Sequence, residues 1–140
     1  MSGKFFEDLA IGDRAEIVST VTEQTIQKFA EVSGDNNPIH LDATYAAATQ
    51  FGERIAHGML SASFISAVIG TRLPGPGCIY LSQSLRFKRP VKIGDVVTAA
   101  ATITALDADK GRATFETVCT VAGKAVIEGE ALVMVPRKAT

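Results

Sequence analysis

The sequence predicts an α+β fold in which a curved antiparallel β-sheet wraps a long central helix. One observation is an uncharged run of fourteen residues, 58–71, that is small or apolar on nearly every side. A helix that is apolar all round is expected to be buried. At about 1.5 Å per residue it would be roughly 21 Å long, which is too short to cross a bilayer. We therefore expect it at the centre of the fold.

The second observation is a set of segments typical of strands, joined by short turns. Five segments alternate apolar with polar residues or are rich in β-branched side chains: 14–22, 78–89, 96–106, 112–121 and 125–135. Turns are predicted at 92–95, 107–111 and 122–124. Because short connections imply antiparallel neighbours, we expect about five antiparallel strands.

Two shorter helices and a loop are predicted ahead of the central helix. Thr22 and Thr25 open the first helix, and Ser33-Gly34 ends it. Segment 42–48 is typical of a short helix with Asp42 near its N-cap. Segment 33–40 (SGDNNPIH) lies between them and is predicted to be a turn-rich loop rather than a helix, because Asp, Asn and Pro favour turns.

Composition favours a compact protein with no general affinity for polyanions. We expect residues 1–140 to form a single domain, with 46% hydrophobic and 21% charged residues. The 15 acidic and 14 basic residues predict no binding to nucleic acid or anionic membranes. The N-terminus lacks a signal-peptide pattern, and Cys78 and Cys119 lack metal-ligand spacing. A cytoplasmic protein with reduced thiols, no membrane segment and no metal is expected.

Asp35 and His40 are the candidate catalytic residues. A carboxylate and an imidazole five positions apart are the usual minimum for acid–base chemistry at neutral pH. The central helix begins at Gly58, where unpaired N–H groups could receive an oxygen that gains negative charge. This combination suits chemistry next to a carbonyl group. The alternatives are that Asp35 only forms a turn, that His40 is structural and that His57 only caps the helix.

At these residues the chain resembles the MaoC-like, (R)-specific enoyl-CoA hydratases. Segments 35–42 (DNNPIHLD) and 57–60 (HGML) match the form Asp-x-Asn-Pro-(Ile/Leu)-His followed by His-Gly-Met, and 77–95 is similar to a later strand and turn of that family. The resemblance spans about 6–136. It implies a hot-dog fold, usually a homodimer, and no cofactor, since the CoA thioester is the substrate. The length is similar to bacterial forms that supply polyhydroxyalkanoate synthesis.

The resemblance also implies roles for individual residues. In the family, the residues that match Asp35 and His40 hold the catalytic water and exchange protons with it and with C2 of the enoyl thioester. The glycine that matches Gly58 donates its N–H to the thioester oxygen. Three residues are expected to support the site geometry: Asn37, Ser66 and His57.

Substrate contacts are predicted from two further features. Basic residues cluster at one strand end and are candidates for CoA phosphates, or else solvated surface: Arg86, Lys88, Arg89 and Lys92. Ile69 on the central helix is a candidate for the acyl pocket, or else ordinary core.

Other functions remain open from the sequence. A 3-hydroxyacyl-ACP or -CoA dehydratase of fatty-acid synthesis runs the same chemistry backward. A thioesterase is disfavoured because 58–71 contains no Asp or Glu. A non-catalytic acyl-thioester-binding subunit would not need an acid–base pair. The carrier, the chain length and the choice of base within the pair are left open.

Overall fold

A computed structural model describes residues 2–139 of the chain. The helices are a 3₁₀ turn at Phe6–Asp8, α1 (Glu23–Ser33), α2 (Pro38–Leu41), α3 (Ala43–Ala47) and α4 (Gly58–Thr71). The strands are β1 (Arg14–Thr20), β2 (Ile79–Gln83), β3 (Arg86–Phe87), β4 (Val96–Asp107), β5 (Arg112–Val121) and β6 (Lys124–Met134).

The strands form one antiparallel sheet in the order β1-β4-β5-β6-β2, and β3 also pairs with β6. Register shifts interrupt the pairing of β4 with β5, of β5 with β6 and of β2 with β6. Such bulges bend the bulged strand and increase its twist. The antiparallel sheet predicted from the sequence is therefore confirmed.

Helix α4 packs across β1, β4 and β5. One side of the helix is buried at Leu60, Ser61, Ile65, Val68 and Ile69. The facing strand β4 contributes alanines 99 and 101, which are fully buried. Because these side chains are small, the helix backbone can approach the sheet closely, and the core of the fold lies between the two.

The sheet wraps α4 as expected, but the expectation that the helix is buried all round holds for one side only within this chain. The sheet covers only one side of the helix, and on the other side Met59 is 55% exposed and Ser66 is exposed. A single helix on a single sheet leaves its outer face open unless another layer covers it. The absence of charge from α4 thus overstates how much of it this chain buries.

The predicted strand 78–89 is in fact two strands, β2 and β3. The strand is interrupted at Ser84-Leu85, where the Ser84 N–H donates to the Glu130 carbonyl at 2.9 Å. A Cβ atom added to Gly129 would lie 1.9 Å from the Ser84 oxygen. The missing side chain on β6 therefore allows the crossing, and alternation alone could not predict it.

The local signals at helix ends and turns are confirmed. The Thr22 hydroxyl accepts from the Thr25 N–H at 3.1 Å, and an Asp42 carboxylate oxygen accepts from the Tyr45 N–H at the same distance. Ala122 and Gly123 both have positive φ, as a two-residue hairpin turn requires. Within residues 2–139 every helix falls short of the length and apolarity that crossing a membrane requires.

Candidate active site

The segment that carries Asp35 and His40 is part loop and part helix. Gly34 ends α1 with a φ of 79°, in the left-handed region that favours glycine. The Asn37 side chain then accepts from the Ile39 N–H at 3.1 Å and caps α2, with Pro38 in its first turn. His40 therefore lies on a one-turn helix, and the predicted loop over 33–40 is wrong for its second half. Proline fits the first helical turn, where its missing N–H costs nothing.

The His40 ring is buried and held through one nitrogen. Its Nδ1 lies 2.7 Å from the Ile55 carbonyl oxygen and donates to it, which assigns the proton to Nδ1 and leaves Nε2 with a free lone pair. Burial lowers the pKa of His40 below 6.5, and the nearby His57 acts in the same direction. The Ile55 carbonyl and the Asp35 carboxylate oppose this shift. A neutral imidazole with one free nitrogen can accept a proton.

His57 joins the two halves of the site. Its ring stacks on that of His40 with centroids 3.9 Å apart, and its Nε2 donates to the backbone carbonyl of Asp35 at 2.9 Å. Phe29 on α1 also packs against the His57 ring, with centroids 4.9 Å apart. His57 occupies the N-cap position of α4 but makes no side-chain capping bond. It therefore acts as a bridge to the Asp35 loop, and the interpretation of a mere cap is not what the structure shows.

The Asp35 side chain is exposed and lies beside the two histidines. One of its carboxylate oxygens accepts from the Asn37 N–H at 3.2 Å. A carboxylate oxygen of Asp35 and one ring nitrogen each of His40 and His57 all lie within 4.8 Å of one another. Three such groups could in principle bind a metal ion. However, His40 Nδ1 and His57 Nε2 each donate a proton to a backbone carbonyl, so neither of these two nitrogens is free to bind a metal.

A cavity of about 540 Å³ opens beside His40. Its polar lining consists of His40, His57, Gly58, Ser61, Lys88 and Arg89. Its apolar lining consists of Phe51, Ile55, Ala56, Met59, Phe87, Pro90, Val91 and Ile127. The size and the mostly apolar wall with a few polar groups are typical of a small-molecule site.

Gly58 lies directly against the ring of Phe87. A Cβ atom added there would come 2.6 Å from a ring atom of Phe87, closer than real contacts allow. Gly58 is the first residue of α4, so its N–H has no partner within the helix, and the residue lines the cavity. A substrate oxygen can approach a backbone that carries no side chain.

The structure brings together some of the predicted site residues and not others. Asp35, Asn37, His40, His57 and Gly58 cluster, and Lys88 and Arg89 line the cavity. Ile69 is fully buried in the core, and Arg86 lines a separate cleft with Glu116 and Glu128. Ser66 lies on the exposed face of α4, and Lys92 pairs with Glu53 at 3.3 Å. In this chain these four residues are not part of the cavity wall.

Several residues at the site were not predicted. Ile55 receives the His40 ring, Arg54 donates to the His40 carbonyl at 2.7 Å, and Phe87 packs on Gly58. Ser61 has a fully buried hydroxyl with no partner among the described residues and lines the cavity. Ser61 could have been suspected, since it is a polar residue on an otherwise apolar helix. The contacts of Arg54 and Ile55 had no signal in the sequence.

The thiols are not activated. Burial raises the pKa of Cys119 to about 12, and it also raises the pKa of Cys78. Both cysteines are free in the structure. Neither therefore provides a thiolate at neutral pH.

Comparisons with known proteins identify the family to which the chain belongs. Residues 11–129 match the model of the MaoC like domain. The chain is 59% identical to an (R)-specific enoyl-CoA hydratase of Rhodospirillum rubrum, over 96% of this chain and 93% of that protein. It is 47% identical to a 3-hydroxybutyryl-CoA dehydratase of Methylorubrum extorquens, over 96% and 85%.

A solved structure shares the fold. The (R)-hydratase from Aeromonas caviae involved in PHA biosynthesis superposes with a TM-score of 0.90 at 44% identity, covering 93% of this chain and 99% of that one. The predicted hot-dog fold, an antiparallel sheet with a helix packed against it, is thereby confirmed. The chain belongs to the MaoC-like family.

Proposed function

We propose that this protein hydrates trans-2-enoyl-CoA to (R)-3-hydroxyacyl-CoA, and that Asp35 and His40 act on one water. The observation that carries the proposal is the fixed imidazole of His40. Its Nδ1 is held by the Ile55 carbonyl, which leaves Nε2 without a hydrogen-bond partner in the described chain. A ring nitrogen of His40 lies within 4.8 Å of an Asp35 carboxylate oxygen, and the ring lines a cavity that also includes Gly58. The relatives named as an enoyl-CoA hydratase and a 3-hydroxybutyryl-CoA dehydratase support it, because these names describe one reaction in its two directions.

The reaction needs three things from the protein. The water must lose a proton as its oxygen bonds to C3, and neutral His40 can accept that proton through Nε2, with Asp35 orienting the water. C2 must gain a proton, which the same pair supplies. The thioester oxygen gains negative charge in between, and the Gly58 N–H and the positive end of α4 stabilise it. The reaction consumes no redox equivalents, so we propose that no cofactor is required.

Lys88 and Arg89 are the proposed contacts for the CoA phosphates. Both are exposed and line the cavity, and the Arg89 guanidinium is steadied by a 2.7 Å bond to the Ala125 carbonyl. Arginine and lysine at the rim of a cavity attract phosphate groups and guide their approach. Arg86 and Ile69 do not line this cavity, and we propose no substrate contact for either.

We further propose that the protein is a homodimer. Apolar side chains are exposed at one end of the sheet and on the open face of α4: Ile79 at 57%, Leu81 at 39%, Phe87 at 55% and Met59 at 55%. An edge strand with exposed apolar residues is a pairing surface for another chain. Ser66 lies on the same open face, where a second copy would cover it.

We also propose a cytoplasmic location and a role in supplying polyhydroxyalkanoate synthesis. Two unpaired thiols suit a reducing compartment. The structural neighbour from Aeromonas caviae is named for PHA biosynthesis, and this chain covers 99% of it.

One assay tests the proposal. Purified protein is mixed with crotonyl-CoA, the loss of enoyl absorbance is followed, and the configuration at C3 of the product is determined. Loss of absorbance with (R)-product is expected. Thiol release without hydration would instead indicate a thioesterase, and binding without turnover a non-catalytic subunit. Crotonyl-ACP in parallel decides the carrier, and turnover of the ACP ester alone would indicate the fatty-acid dehydratase.

A further inference from the structure

We infer that Arg54 is a positioning residue for His40, because it holds the short helix that presents the imidazole to the cavity. The inference rests on the proposed hydratase function and concerns a residue outside the motifs that identified the family. Arg54 does not line the cavity, so any effect on turnover must pass through His40.

The Arg54 side chain is fixed at both ends of its guanidinium. Its Nε donates to the His40 carbonyl at 2.7 Å. Its two terminal nitrogens contact the two carboxylate oxygens of Glu23, at 2.6 and 3.1 Å. Only 14% of the Arg54 side chain is exposed. A bidentate arginine–carboxylate pair has defined geometry, so Glu23 at the start of α1 aims the Nε at the end of α2.

Helix α2 needs such a partner. It has only four residues, and a helix of that length is unstable alone. Its last carbonyls have no N–H donor within the helix, and the His40 carbonyl is one of them. Ile55, next to Arg54, donates its N–H to the Ile39 carbonyl at 3.3 Å and receives the His40 ring at 2.7 Å. The dipeptide Arg54-Ile55 therefore holds both the backbone and the imidazole of His40.

The pKa of His40 provides a second readout of the same geometry. The ring of His40 faces His57 and Asp35, while Arg54 lies behind its carbonyl and is paired with Glu23. If Arg54 is removed, we expect α2 to loosen and the His40 ring to become more hydrated. Because burial is the main cause of the lowered pKa of His40, better hydration should raise that pKa. A lysine keeps the charge but not the fork, so it separates geometry from charge.

The experiment compares Arg54→Ala, Arg54→Lys and Glu23→Gln with wild type. The control is Arg14→Ala, which removes an exposed arginine–glutamate ion pair. Arg14 pairs with Glu16 on β1, and the two side chains are 52% and 44% exposed. For R54A, kcat for crotonyl-CoA should fall about 10- to 100-fold, because small misplacements of a catalytic group carry losses of this size. KM should stay within about threefold, since Arg54 does not touch the substrate site.

The kcat values of the conservative variants should lie between those of wild type and R54A. R54K and E23Q are expected to lose less of kcat than R54A, and R14A none. The acidic limb of kcat/KM should move to higher pH in R54A and less in R54K. Circular dichroism and thermal unfolding establish that each variant is folded, and R54K and E23Q decide the matter if R54A does not fold.

Imidazole ¹⁵N NMR gives a readout that is independent of turnover. Wild-type His40 should show the proton on Nδ1, and R54K should show a mixture of tautomers. A folded R54A or R54K with wild-type kcat and an unchanged tautomer would overturn the inference, as would a loss of activity with an unchanged pH profile and tautomer. If wild type does not hydrate crotonyl-CoA, the proposed function fails, but the tautomer comparison still decides the role of Arg54.

Discussion

Strands β4, β5 and β6 pair along nearly their whole lengths through backbone hydrogen bonds and bury large side chains such as Phe115, whereas the segment 34–57 has little regular pairing. The segment is held instead by single bonds from side chains to backbone, including those of Asn37, His40, Arg54 and His57. Stability therefore resides mainly in the sheet, and catalytic geometry in a few contacts of the segment. Substitutions in the two regions should have separable effects.

The largest expected effect is on the sheet. Phe115→Ala should lower the free energy of unfolding by about 3–5 kcal/mol, because it removes a fully buried ring from the core. Turnover per folded molecule should change little. Urea unfolding and crotonyl-CoA kinetics measure the two quantities. Phe5→Ala is the matched control, since Phe5 is 43% exposed and its loss should be far smaller.

The next effect is on the segment. Asp35→Asn and His40→Ala should each lower kcat at least about 100-fold, the usual contribution of a positioned acid–base group, while each variant remains folded. Steady-state kinetics with thermal unfolding check both statements. Asp42→Asn is the control, because Asn also caps a helix well and Asp42 only caps α3. Near-wild-type turnover of D35N or H40A would contradict the proposed mechanism.

A smaller effect is expected where the two regions meet, at Gly58 against Phe87 of β3. Gly58→Ala would force the ring away from the helix start and displace the N–H donor, so kcat/KM should fall about 10- to 100-fold. Adding Phe87→Leu should recover part of the loss. Gly70→Ala on the same helix has open space around its Cβ and should leave activity unchanged and add up to about 1 kcal/mol of stability.

The smallest effect concerns pH. Because burial lowers the pKa of His40 below 6.5, the unfolded chain takes up this proton first as the pH falls. The free energy of unfolding should therefore decrease as pH falls below about 6.5 and level off below the folded pKa. His40→Asn should reduce this loss, as unfolding midpoints at pH 7.5 and 5.5 can show. An equal loss in the two proteins would show that other groups cause it.

The long strands could be predicted because alternation reports which face is buried. Segments 96–106, 112–121 and 125–135 lie within one or two residues of β4, β5 and β6. The central helix was predicted from its lack of charge, but the same signal could not tell one buried side from two. The break between β2 and β3 depends on a glycine in another strand, and the pattern within 78–89 contains no trace of it.

The candidate site was partly predictable for a related reason. Asp35, His40 and Gly58 were chosen for their chemistry and for the resemblance, and the structure places all three in one cluster. Asp, Asn and Pro in segment 33–40 indicated a loop, yet Asn37 and Pro38 also suit the start of a helix, and α2 forms there. Local preference was ambiguous between the two, and contacts from Arg54 and Ile55 favour the helix.

The sequence by itself determined the fold class, the strand and helix order and the residue types that can carry acid–base chemistry. These follow from hydrophobic period and side-chain chemistry, which are local properties. Only the tertiary structure decided that burial lowers the pKa of His40, that its Nδ1 is held by Ile55, that His57 bridges to Asp35, and that the Phe87 ring packs on Gly58. Each of these depends on burial or on a contact between residues distant in the chain, and no local pattern encodes such contacts.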